Sequence, residues 1–279
     1  MTMAAILLCG SVLQGQEGTL QTIRDDVRQG SPGSASPSPA PPSERRTYDP
    51  QNESLDELEY SLFTLAFYGA SVVATAPISL PIILLDDDLV PWGGFAQFPY
   101  DQTPGYILAN DPAIAPRSWA GRLDVEWAES FDQLDQIGAH MLLETATRFG
   151  VDLRAKHLQE RLDAGTRDQL WLGDCNLTFR FAQTARVQFR AGLGFNWLTD
   201  DARTDLGFNF VYGADFFPRK PWVLSAVLDA GTLGHAGLFR FQTTAGVMVN
   251  RLELYTGYEY ADIGRTQWNA LIGGIRLWF

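Results

Sequence analysis

The sequence predicts an all-β fold, an up-and-down antiparallel transmembrane β-barrel of about ten strands over residues 117–279, preceded by a Pro/Ser-rich linker and a short partly helical segment. Three observations carry that expectation. From Arg117 onward, apolar and polar residues alternate in short runs separated by turn residues, the periodicity of strands. The apolar face is built of Phe, Trp, Tyr and Leu, whereas the opposing face mixes Gly with charged and amide residues. The alternation continues through GGIRLWF to the last residue, Phe279, where most soluble domains let the chain fray.

Composition narrows the function classes. With 279 residues and 46% hydrophobic content the chain can build a core, and a net charge of −12 speaks against nucleic acid, which is bound by clustered Lys and Arg. Two cysteines, Cys9 and Cys175, exclude a disulfide framework, and no Cys/His spacing suggests zinc. No cofactor or metal is expected.

Along the chain, AAILLCGSVL has the length of a signal-peptide apolar region, so residues 1–16 read as a signal peptide. Residues 17–54, with SPGSASPSPAPPSE at their centre, read as a disordered linker because they have too little apolar bulk to fold. Residues 55–116 read as a partly helical periplasmic or membrane-associated segment. Within it, 61–85 is long enough to cross a bilayer, yet it contains Pro77 and Pro81 and is followed by Asp86, Asp87 and Asp88. A spanning helix, a helix packed on protein and a helix lying at a membrane surface all remain open.

Strands are expected near 117–129, 138–147, 151–160, 168–181, 186–198, 204–216, 222–232, 237–249, 252–262 and 267–279. The pattern is poorest in VDLRAKHLQE, 151–160. One register test is independent of counting: apolar residues are odd-numbered from Phe239 to Val249 and even-numbered from Leu252 to Tyr260. A two-residue hairpin at Asn250 and Arg251 requires that switch. Connections alternate between tight ones (148–150, 182–184, 250–251) and longer polar ones (129–137, 161–167, 199–203), which predicts one short rim and one more exposed rim.

Periodicity alone leaves open which face is inside. A soluble periplasmic barrel would turn its apolar face inward around an apolar ligand, and a membrane barrel would turn it outward. Volume favours the second, since small and paired polar residues fit a narrow lumen better than a wall of Phe and Trp. Aromatic residues near strand ends, including Trp127, Trp197, Phe216, Trp222, Tyr258 and Tyr260, match interfacial girdles.

GGIRLWF resembles the C-terminal signature strand of bacterial outer-membrane β-barrels. Phe279, Leu277 and Ile275 alternate and Gly274 occupies the glycine place; Leu277 stands for a more usual aromatic and Ile272 for a polar residue. The resemblance implies an outer-membrane location, recognition of Gly274, Ile275, Leu277 and Phe279 by the barrel-assembly machinery, and closure of the last strand on the first. The lipid bilayer is then the main partner.

The expected lumen face carries Arg122, Asp124, Glu126, Glu144, Arg148, Asp152, Arg154, Asp174, Arg180, Arg186, Arg190, Asp215, Asp229, Arg240 and Glu259. Mixed signs suggest a lumen packed by paired charges, with a narrow solute path lined by the same residues as the alternative. Ten-stranded outer-membrane barrels also include omptin proteases, which use a histidine and acids at the outer rim. Here His157 or His235 with Asp163, Asp168 or Asp200 would have to serve, and no spacing guarantees their contact. The expected function is therefore a structural or narrow-channel role without catalysis.

Overall fold

The computed structural model describes residues 18–29, 76–85, 94–108, 117–130, 134–162 and 166–279. The signal-peptide segment with Cys9, most of the Pro/Ser-rich stretch and Asp163 lie outside the described residues.

Alternation becomes strand pairing from Trp119 onward. The strands are β3 (Trp119–Ser130), β4 (Leu134–Thr145), β5 (Phe149–Arg161), β6 (Arg167–Gln183), β7 (Val187–Thr199), β8 (Thr204–Phe216), β9 (Trp222–Leu233), β10 (Ala236–Val249), β11 (Leu252–Ile263) and β12 (Thr266–Trp278). Each pairs antiparallel with its sequence neighbours, and β12 pairs with β3 to close a ten-strand barrel. Closure abolishes the open edge that would leave backbone N–H and C=O groups bare in lipid. The poorly patterned stretch at 151–160 is a full strand, β5.

Register follows pattern. Val249 pairs with Leu252 and both point outward, so the Asn250–Arg251 hairpin produces the parity switch. Asn250 sits at φ 55°, in the left-handed region that this turn demands. The expected difference in loop length between rims is absent. β4 starts at Leu134, and the connections at 234–235 and 264–265 are as short as that at 250–251, although they lie on the opposite rim. Backbone hydrogen bonding extended these strands beyond the last residue of clean alternation, which shortened the expected loops.

The wall faces outward with its apolar side. Phe195, Phe208, Leu193 and Ile275 are about half exposed, and Phe189, Phe210 and Phe241 share that face. Trp119, Phe149, Phe216 and Trp222 lie toward the rim that holds both barrel ends, here the terminal rim; Trp127, Trp171 and Tyr258 lie toward the far rim, with Leu, Val and Ile between. This is a membrane-spanning barrel by its own surface. The soluble alternative with an apolar interior is thereby overturned, because the inner face is charged and the outer face is the greasy one. No described helix is long and apolar enough to cross a membrane; of the expected 61–85 segment, residues 61–75 lie outside the described residues.

Among the described residues, four smaller elements precede the barrel. Helix α1 (Thr19–Gln29) falls inside the stretch expected to be a disordered linker, and its buried face is the reason it folds. The described helical stretch 76–85, α2, lies outside the wall, and β1 (Gly94–Phe95) pairs with β2 (Ile107–Leu108) at the terminal rim.

Candidate functional site

The lumen is the candidate site, and its inner residues are positioned by strand period: every second side chain of a β-strand enters it. Arg122 and Arg190 both donate to Asp215, at 2.8 and 2.6 Å, and Gln188 and Ser225 complete the acceptor's shell. Arg154 and Arg240 share Asp229, and Arg240 also reaches Asp174. Lys156 lies 2.7 Å from Glu126 and also holds Glu259; Arg276 bridges Asp124 at 2.9 Å and Glu253 at 3.0 Å. His140 sits between Asp124 and Asp152, and Arg180 donates to Glu144.

The reach of these pairs is what matters. Arg122 is on β3 and Asp215 on β8, five strands apart in a ring of ten, so the pair spans a diameter. Lys156 to Glu259 and Arg154 to Asp229 each cross four strands. Ions from opposite walls are thus in direct contact across the lumen. A cavity of about 10 Å³, the size of one water, remains beside Gln136, Lys156, Glu259 and Trp268.

Both mouths also carry packed elements. At the far rim α1 turns Leu20, Ile23 and Val27, all buried, onto a ring that includes Leu134, Leu158, Leu170, Leu198, Leu233, Ile263 and Trp268. Glu160 accepts from the free backbone N–H groups of Thr19 and Leu20, at 2.8 and 3.0 Å, so the wall supplies a carboxylate cap to the helix start. Arg24 grips Asp168 with two bonds of 2.6 Å and lies 2.9 Å from Asp200; Arg28 takes Asp200 and Asp205. Asp26 accepts from the backbone and side chain of Arg265, and the Val27 carbonyl accepts from His235 N–H. Burial would raise the Asp200 carboxyl, but hydrogen bonds from Arg28 and from the Arg203 and Ala202 amides hold it well below the usual range. The hydrogen bond to Asp168 raises Arg24, and that to Asp200 raises Arg28.

At the terminal rim the β1–β2 segment forms the other cap. Phe95, Tyr106 and Ile107 pack on Ala120, Phe217, Val223, Met248 and Trp278, with the Tyr106 and Trp278 rings 4.9 Å apart. The Tyr106 amide donates to the Ala185 carbonyl, and a Cβ on Gly105 would stand 1.8 Å from that oxygen, so only glycine admits the chain there. Burial pushes the Tyr100 hydroxyl up to about 12.

Of the expected lumen residues, Arg122, Asp124, Glu126, Glu144, Arg148, Asp152, Arg154, Asp174, Arg180, Arg190, Asp215, Asp229, Arg240 and Glu259 are buried on the inner face. Arg186 is not. It is exposed in the 184–186 turn, because β6 runs on to Gln183 through an irregularity at Arg180 and Ala182 and β7 begins only at Val187. Sequence reading missed Lys156, Glu253, Arg276 and the role of His140, although each falls on the inner parity of its strand. It also missed the far cap, whose signal was Leu20, Ile23 and Val27 at helical spacing. The acids considered for catalysis are engaged elsewhere: Asp168 and Asp200 hold α1, His157 stacks on Trp171 on the outer wall, and His235 is in an exposed turn.

Ile275 pairs with Val125 and Leu277 with Leu123, which closes the barrel as the terminal signature implied. Phe279 exchanges backbone hydrogen bonds with Gly121 and lays its ring beside Trp119. Gly274 faces inward, where a Cβ would meet the Tyr255 ring at 2.5 Å.

No protein-family model matches the chain, and no curated protein matches by sequence. Solved structures do resemble it. The N-terminal β-barrel domain of Pseudomonas aeruginosa OprF is 12% identical, with a TM-score of 0.30, covering 57% of this chain and 97% of that one. The NanC porin is 10% identical, with a TM-score of 0.34, covering 56% and 98%. A loop-deletion mutant of OmpT, an outer membrane protein of Vibrio cholerae, is 11% identical, with a TM-score of 0.30, covering 67% and 76%. The structural neighbours are thus bacterial outer-membrane barrels, and the likeness concerns architecture only.

Proposed function

We propose that this protein is a sealed outer-membrane β-barrel with a structural role: it anchors its chain in the membrane and conducts nothing. The observation that carries this reading is the Arg122–Asp215 pair, which joins diametrically opposed strands across the lumen. A channel of the same size would need its charges along the wall with water between them. The plug of α1 at one mouth and the β1–β2 cap at the other support the same conclusion. The reading is non-catalytic, supported by the engagement of Asp168 and Asp200 with α1 and by the position of His157 on the outer wall.

Planar-bilayer recording from purified, unmodified protein tests it. The expected result is an absence of steady unitary currents. Stable currents proportional to salt concentration would reject the sealed barrel and make the lumen arginines pore-lining residues.

A further inference from the structure

Helix α2 has the sequence APISLPIILL, with no charged residue in ten. It lies on the outer wall of the barrel, where the Tyr212 hydroxyl donates to the Pro77 carbonyl at 2.7 Å. That acceptor is a carbonyl the helix cannot satisfy by itself. In an α-helix it would receive the N–H of the residue four places on, but that residue is Pro81, which has no N–H and whose ring pushes the carbonyl outward. Tyr212 therefore replaces the missing donor. In water such a carbonyl would be solvated at no cost; a dedicated tyrosine is needed where water is absent.

The rest of the helix agrees with an apolar setting. Ile78, Leu80, Ile83 and Leu84 are 42 to 78% exposed. Their surface continues the outward apolar wall of β6–β8, where Phe181, Phe189 and Tyr212 pack with ring centroids 5.7 to 6.2 Å apart. Tyr212 is four residues before the end of β8 at the terminal rim, so it sits about 10 Å below that rim at 3.3 Å per residue and the usual tilt. Residues 76–85 cover about 15 Å of helix, half of a hydrocarbon core about 30 Å thick. In the sequence Leu85 is followed by Asp86, Asp87 and Asp88, and Gly94 begins the terminal-rim cap.

We infer that α2 is an intramembrane helix that occupies one leaflet beside the β6–β8 wall, docked through Tyr212 and covered on its free face by lipid acyl chains. It extends the lipid-facing perimeter of the barrel.

The test uses full-length protein reconstituted in phosphatidylcholine vesicles, with Cys9 and Cys175 replaced by Ser and a bimane fluorophore on Leu84→Cys. Leu193→Cys on the lipid wall and His235→Cys in a turn serve as references. Acyl-chain doxyl lipids are expected to quench the Leu84 probe as strongly as the Leu193 probe, with iodide ineffective. Iodide quenching like that at His235, or protection from both quenchers, would overturn the proposal in favour of water or of a covering protein surface. A second arm tests the anchor in barrels that keep their heat-modifiable gel mobility. Tyr212→Phe should increase iodide access to Leu84 roughly tenfold, as expected for one orphaned carbonyl in apolar surroundings. Adding Pro81→Ala, which restores the intrahelical donor, should reverse most of that change. No response to Tyr212→Phe, or no rescue by Pro81→Ala, would refute the docking role of Tyr212.

Discussion

Asp215 concentrates the chemistry of the lumen in one residue, since it is fully buried and accepts from two guanidinium groups at once. Replacing it with Asn removes the carboxylate that Arg122 donates to and leaves Arg190 only Asp152 at 4.0 Å, a loss of about 3–5 kcal/mol for a broken buried pair. Equilibrium urea unfolding in detergent, followed by heat-modifiable gel mobility, should show it; an unchanged midpoint would mean that the pair is hydrated and weak. The two last residues separate two further effects. Trp278 is buried in the terminal-rim cap with its indole N–H on Glu253, so Trp278→Ala should destabilise the assembled barrel by about 3–5 kcal/mol. Phe279 lies at the seam on Gly121, and Phe279→Asp should instead reduce the fraction inserted into the outer membrane during assembly. Pulse-labelling for insertion and unfolding for stability distinguish them, and the reading fails if both variants act on the same measurement.

At the scale of elements, α1 is held at the far mouth by an apolar stripe and by a clamp of ion pairs. Asp200 titrates below its ordinary range in the folded protein, so its contribution is complete above a pH of about 4, the unfolded carboxylate value, and is lost as pH falls through the depressed folded value. Docking of α1 should therefore be flat between pH 5 and 8 and weaken only in strong acid. A nitroxide at the exposed Gln21 reports this as spectral narrowing below about pH 4, and narrowing near pH 6 instead would point to a histidine. Asp168→Asn combined with Asp200→Asn should release the helix at neutral pH, by removing both partners of Arg24.

For the whole molecule, screening separates the plug from the lumen. Arg28 of the clamp is 19% exposed, whereas Arg122 and Asp215 are 2% or less, and salt acts mainly on charges that water reaches. Raising sodium chloride from 0.1 to 1 M should increase Gln21 mobility while leaving the unfolding midpoint of the barrel nearly unchanged. A midpoint that falls with salt as steeply as α1 docking would mean that ions enter the lumen, and the sealed barrel would be wrong.

Local periodicity determined the wall. The ten strands, the parity switch at Asn250 and Arg251, the outward Phe195 and Phe208 and nearly all lumen charges follow from a period of two, because a strand's neighbours in space repeat its neighbours in sequence. Even the seam was legible, in the terminal alternation of Ile275, Leu277 and Phe279. Sequence could not pair Arg122 with Asp215, since 93 residues separate them and only the curvature of a closed ring makes their strands opposite. It also could not seat α1: eleven residues with three apolar side chains are too few to fold alone, and the helix exists because Glu160, Asp168, Asp200 and Leu158 meet at one mouth. Register is a local property and is written in the chain; closure of the bore and of its mouths depends on contacts between distant strands, which only the folded barrel brings together.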